Sequence, residues 1–349
     1  MQGSGGAHPA AHWRGGVGGV LAAALLALLL TGCATAPQSR DLAGGPEALP
    51  DLPPRVELRD TPFHPQEDYQ CGPAALATVL EGRGLDVSLQ GLIDEVYLPA
   101  REGTLQAEMR AAVRARDLVA YRLEPDLEAV LREVAAGHPV VVFQNLGLGM
   151  FPEWHFAVVI GYDLEAGEII LRSGTHERHV NEFARFERTW ARGERWAFIP
   201  VAPDELSATA EPLNWLRAVN ELEVTGALAA AATGYRTAID EWPDHPVAYV
   251  GLANVAMAQD DPEAAESALR ELIERAPEVD VAWNNLAHVL LARDCTEPAR
   301  AAAACAVALS GGEDASPYAP TLRTLERAAP SPDGACDPAP DCPAGRRAD

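Results

Sequence analysis

The sequence predicts an α+β domain followed by an all-α repeat domain, and three observations carry that prediction. Between Arg55 and Pro203, apolar residues at helical spacing give way to short β-branched and aromatic runs. From Leu213 onward, landmark residues recur every 34 positions. The 28 Pro and 29 Gly are unevenly spread and mark linkers at both ends of the chain. A length of 349 residues suits two domains, each able to bury a core.

The segments Gly72–Glu81, Leu105–Arg116 and Asp126–Ala136 read as helices. Pro139–Leu146, His155–Tyr162, Glu168–Arg172 and Arg195–Val201 read as strands bounded by Gly or acidic turn residues. Helices followed by antiparallel strands argue an α+β domain rather than a doubly wound one. In the second half, Trp215, Tyr249 and Trp283 keep one register, as do Ala231, Ala265 and Ala299, and Pro243, Pro277 and Gly311. This is tetratricopeptide-repeat spacing: the aromatic opens the first helix of each pair, the small Ala lets the second pack close, and the Pro ends it. Gly226, Asp260-Asp261 and Asp294 fall at the inter-helix turns, and a short helix around Tyr318–Arg327 caps the stack. The predicted divisions are residues 1–33 as a signal segment, 34–54 as a flexible linker and 55–203 as the α+β domain. Residues 204–212 follow as a linker, 213–328 as repeats with a capping helix, and 329–349 as a disordered tail apart from any cysteine pairing.

Arg14, the apolar run Val20–Leu30 and Thr31-Gly32-Cys33 form an export signal too short to span a bilayer. Leu30-Thr31-Gly32-Cys33 resembles the lipobox of bacterial lipoproteins, which implies cleavage before Cys33 and acylation of its sulfur. Ala34, where an acidic residue would signal retention, resembles the class sorted to the outer membrane. The implied location is the envelope, lipid-anchored and facing the periplasm. In that oxidising compartment Cys295, Cys305, Cys336 and Cys342 are disulfide candidates with three possible pairings, and Cys71 stands alone. A net charge of −24 argues against a nucleic-acid partner.

The sharpest local feature is Gln66-Glu67-Asp68-Tyr69-Gln70-Cys71-Gly72-Pro73-Ala74-Ala75-Leu76. Pro73 is tolerated only in a first helical turn, so Cys71 belongs at a helix N-terminus, where the helix dipole favours the thiolate. The upstream Gln66 amide is placed to donate to an oxyanion. A thiol nucleophile needs a base from elsewhere in the fold, and His155, opening an apolar strand behind Trp154, is the best placed histidine. His176 and His179 suggest a metal pair only weakly, without a Cys or carboxylate cluster at ligand spacing, so no metal and no cofactor are expected.

Gln-x4-Cys-Gly-Pro-Ala-Ala-Leu, Pro-Val-Val-Val-Phe and Trp-His-Phe-Ala-Val-Val-Ile-Gly-Tyr-Asp together resemble the bacteriocin-leader peptidase domain, family thirty-nine of the cysteine peptidases, over about Glu57–Pro203. The resemblance implies a papain-like fold with Cys71 as nucleophile, His155 as general base and Gln66 as oxyanion donor. Gln66 lies one residue closer to the Cys than the family pattern, so Gln70 or a backbone N–H is the substitute. Where the family has an Asp that orients the His, this chain has Ser173, with Asp163 and Asn181 in reserve. The expected function is an envelope cysteine peptidase acting on a peptide or protein, with the repeats recruiting a protein partner or substrate. The rivals are a catalytically weak papain-like peptide-binding module, motivated by the missing Asp, and acyl or amide transfer by the same Cys–His pair.

Overall fold

The computed structural model describes residues 36–65, 70–330 and 336–343. The expected signal segment with Cys33, and Gln66, lie outside the described residues.

The chain begins with a short helix α1 (Pro37–Asp41), a 3-10 turn (Leu42–Glu47) and strand β1 (Arg55–Glu57). Helix α2 (Cys71–Gly82) starts at the cysteine itself, with Pro73 in its first turn. Next come α3 (Leu89–Val96), whose Ser88 cap accepts the Gly91 N–H at 3.0 Å, and α4 (Gln106–Arg114). Strand β2 (Val119–Arg122) precedes α5 (Leu127–Ala135), β3 (Val140–Asn145), β4 (Trp154–Asp163), β5 (Glu168–Ser173) and β6 (His176–Glu182). Helix α6 (Phe183–Ala191) and strand β7 (Ala197–Val201) complete the domain. The seven strands form one sheet in the order β2-β7-β3-β4-β5-β6, with β1 paired to β4, and every pairing is antiparallel. This is the predicted α+β class, but the order is less segregated than expected, since β1 and β2 intervene among the helices.

Both sheet faces are covered, which is why the central strands read as nearly continuous apolar runs. Phe156, Val158 and Ile160 of β4 pack with α2, α3 and α4 on one face. Ala157 and Val159 pack with α5 and α6 on the other.

The segment expected as a flexible tether is folded from Pro37 on. The Gln38 and Ser39 amides donate to the Glu187 carboxylate of α6 at 3.2 and 2.8 Å. The Gln38 side chain caps α5 by accepting the Leu127 N–H at 2.9 Å, and Leu42 and Leu49 are buried in the sheet's core. Composition pointed to a linker because Pro and Gly dominate it; contacts more than 80 residues away in sequence decide otherwise.

The repeats are three helix pairs: α7 (Pro212–Val224) with α8 (Leu228–Glu241), α9 (Pro246–Ala258) with α10 (Pro262–Arg275), and α11 (Asp280–Ala292) with α12 (Thr296–Leu309). Helix α13 (Ala319–Glu326) caps them. Trp215, Tyr249, Trp283, Ala231, Ala265 and Ala299 are all fully buried. Gly226, Asp260 and Asp294 adopt left-handed backbone (φ 87°, 58° and 60°) at the intra-pair turns, as their register predicted. Disulfides join Cys295 to Cys336 and Cys305 to Cys342, holding residues 336–343 on the last pair, where Arg270 binds the Asp337 and Pro338 carbonyls. That stretch of the expected tail is therefore docked.

The two domains share one core. Trp215 of α7 lies 6.2 Å from the Tyr121 ring of β2, and Val219, Leu222 and Tyr235 join the cluster containing α5 and the sheet. The expected linker 204–212 is a clamp. Fully buried Glu133 of α5 accepts hydrogen bonds from Ser207 Oγ, Thr209 Oγ1 and the Thr209 N–H, and its other oxygen meets His138 Nδ1 at 2.7 Å. His138 Nε2 reaches Glu205 at 2.9 Å, and Glu205 also pairs with Arg83.

Burial alone would raise the Glu133 carboxyl, but hydrogen bonds from His138, Ser207 and Thr209 bring it below its ordinary 4.5. The Glu133 contact raises His138 above its ordinary 6.5 against burial, with Glu205 adding to the rise. The carboxylate contributes stability above pH 4.5 that is lost as pH falls through its depressed pKa; the histidine contributes below 6.5 and is lost as pH rises through its elevated one. Thermal unfolding is therefore expected to peak between those values, measured by circular dichroism. Glu133→Ala is expected to remove the peak and to destabilise the chain by about 3 kcal/mol.

Candidate active site

The α2 N-terminus and the start of β4 meet beside one cavity of about 950 Å³. Cys71 and His155 both line it, with Thr104, Phe143, Trp154 and Phe156. Gly72 is required immediately after the cysteine, because a Cβ there would overlap the Thr104 side chain. Gly193 permits a similar approach to the Phe143 carbonyl on the opposite wall. Buried Arg172 ties the segment preceding α2 to the sheet, donating to the Arg59, Thr61 and Glu177 carbonyls.

His155 sits opposite Gln144 in the β3–β4 pairing, and its Nε2 lies 2.8 Å from Ser173 Oγ at the end of β5. The position where an orienting side chain was expected is thus occupied, by a hydroxyl. The reserve candidates lie elsewhere. Asp163, at the far end of β4, accepts the Ala166 N–H and faces Arg55, and Asn181 is paired opposite Ile169. Gln70 is the N-cap of α2, and its carbonyl accepts the Ala74 N–H at 3.1 Å. Among the described residues no hydrogen bond engages His155 Nδ1, and none joins the ring to the Cys71 thiol. The backbone N–H groups of Phe156, Gly72 and Cys71 favour the ionised form of the thiol.

Burial pushes the Cys71 thiol above its ordinary 9.0, and those three N–H groups only partly oppose it. Burial, with nearby His179 adding repulsion, pulls His155 down to about 4. The helix N-terminus was expected to favour a thiolate; desolvation outweighs it. Both groups are therefore neutral at neutral pH, a thiol and an imidazole lining the same cavity.

Sequence reasoning missed Phe143, Glu194 and the 101–106 segment as cavity walls. They reach the site from three separate elements, and only the β3 run carried any local signal.

Iodoacetamide alkylation of Cys71 is expected to rise through a single ionisation above pH 9.0, without a plateau near neutrality. Ser173→Asp places a carboxylate on Nε2, raises the His155 pKa and is expected to create that plateau, increasing the rate at pH 7 by about tenfold or more.

Residues 58–197 match the family model described as Peptidase_C39 like, and residues 225–289 match a tetratricopeptide-repeat model. Among solved structures the chain is similar to a protein from Bacillus anthracis described as a C39-like peptidase, at 20% identity over 44% of this chain and 98% of that one, with a TM-score of 0.37. It is similar to a double glycine motif protease from an AMS/PCAT transporter in complex with the leader peptide, at 23% identity over 40% and 91%, TM-score 0.32. It is also similar to the first TPR of Spaghetti (RPAP3) bound to an HSP90 peptide, at 17% identity over 33% and 90%, TM-score 0.30. No curated protein sequence matches it. Residues 58–197, which match the C39-like peptidase model, have the α+β fold expected of it and are joined through a shared core to an all-helical tetratricopeptide-repeat array.

Proposed function

We propose that this protein is a thiol peptidase of the bacterial cell envelope whose repeats recruit a protein partner or substrate. The observation that carries the reading is that Cys71 and His155 line one cavity, with Nε2 held by Ser173 and Nδ1 without a hydrogen bond among the described residues. In the reaction the Cys71 proton passes to His155 Nδ1 as the sulfur bonds to the peptide carbonyl carbon, and the C=O electron pair moves to oxygen. Collapse of that oxyanion breaks the C–N bond, the amine leaves with the proton from His155, and water then hydrolyses the thioester.

The Leu30-Thr31-Gly32-Cys33 motif supports lipidation at Cys33 and an envelope location. The disulfides at Cys295–Cys336 and Cys305–Cys342 agree with an oxidising compartment. Because helix α1 begins at Pro37, four residues after Cys33, an acyl chain on Cys33 would hold the domain close to the bilayer, each intervening residue spanning at most about 3.6 Å. A second reading, a peptide-binding module with little turnover, is favoured by one observation: Ser173 offers no charge to stabilise an imidazolium.

The full chain is expected to cleave a casein peptide mixture and to accumulate a thioester at Cys71 detectable by mass spectrometry. Cys71→Ala abolishes both, and His155→Ala lowers turnover by about a hundredfold or more. Peptide binding with no cleavage and no thioester would instead select the binding module. Cys33→Ser is expected to abolish incorporation of labelled palmitate; retained label contradicts the anchor.

A further inference from the structure

The β3–β4 hairpin is built to stand out from the domain. Asn145 Oδ1 grips its base by accepting the Gly147 and Glu153 N–H groups at 3.0 and 2.9 Å, Arg192 binds the Asn145 carbonyl, and Leu148 and Phe151 close the tip. Its apolar side chains face solvent: Leu148 is 72% exposed, Met150 84%, Phe151 73% and Trp154 52%. An apolar cluster of this size on a surface marks a contact. It is continuous with the cavity, because Pro152, Glu153 and Trp154 line both, and the Trp154 ring stacks on Phe143 of the wall at 5.1 Å.

The rest of the rim is acidic. Glu102, Glu153 and Glu194 line it against a single cation, Arg101, and among the described residues none of these four has an ion-pair partner. Glu102 and Glu194 line the cavity from left-handed backbone (φ 47° and 60°), a conformation that disfavours a side chain. Unpaired carboxylates repel an anionic bilayer as well as an acidic peptide, and complement a cation.

We infer that the cavity mouth takes a peptide segment combining bulky apolar and cationic side chains, the hairpin receiving the former and Glu102, Glu153 and Glu194 the latter. This rests on the reading of the cavity as a peptide site and names its substrate class.

The test is protection of Cys71 in the full chain from iodoacetamide by three acetylated, amidated pentapeptides: Leu-Lys-Phe-Lys-Leu, Leu-Glu-Phe-Glu-Leu and Ser-Lys-Ser-Lys-Ser. The first is expected to protect at concentrations about tenfold lower than either of the others. With each variant normalised to its own unprotected rate, Glu153→Gln with Glu194→Gln removes the preference for Lys over Glu. Met150→Ser with Phe151→Ser removes the preference for Leu and Phe over Ser. Equal protection by all three peptides overturns the inference. So does absence of protection combined with phosphatidylglycerol-vesicle flotation that the hairpin variant abolishes, which would make the hairpin a membrane contact. Preferential protection without cleavage sinks the peptidase reading alone, and cleavage without preference sinks this one alone.

Discussion

The hydrogen bond between His155 and Ser173 sets the character of the site. It anchors the imidazole through Nε2 and leaves Nδ1 without a hydrogen bond among the described residues, but it does so with a neutral group. A carboxylate in that place would hold a charged ring in a buried setting; a hydroxyl cannot. Burial therefore governs both partners, lowering the ring's proton affinity and raising that of the sulfur. The consequence is a cavity thiol that is not pre-ionised. On the proposed reading, activation depends on what a bound segment does to the cavity: displacing water strengthens the effect of the Phe156 and Gly72 amides that favour the ionised thiol.

Positioning of this kind demands a stiff frame, and the fold provides it from two directions. The sheet is buried on both faces, so β4 can be displaced only by disturbing α2 on one side and α5 on the other. The repeats are not a separate appendage, since α7 and α8 extend the same core as α5. Arg110 and Arg114 of α4 converge on Glu221 of α7, adding a charged contact across the junction. A partner held on the repeats would therefore have a fixed orientation to the peptidase domain rather than one averaged by a linker.

Much of this was legible in the sequence, for identifiable reasons. Pro73 announced the start of α2 and hence the placement of Cys71; the 34-residue register announced the helix pairs. Elements with weak or mixed signals were missed. Strand β2 is only four residues long, and β6, which no expected strand covered, is an edge strand whose outer residues are exposed. Helix α6 did carry a signal, with Phe183, Phe186 and Trp190 at helical spacing and all buried. The docking of residues 37–49 was hidden, because Glu187 and Leu127 lie far away in sequence and nothing local announces them. Ser173 was legible as a departure from the pattern; that it would nonetheless bond the imidazole required the β4–β5 register.

The central claim is a neutral His155 whose Nε2–H donates to Ser173, and ¹⁵N NMR titration of that ring in the full chain measures it directly. The account predicts a bare Nδ1 and a protonated Nε2 across the neutral range, with the ring gaining its second proton at about pH 4. A ring already charged at neutral pH, or a proton resident on Nδ1 with Nε2 bare, would contradict it.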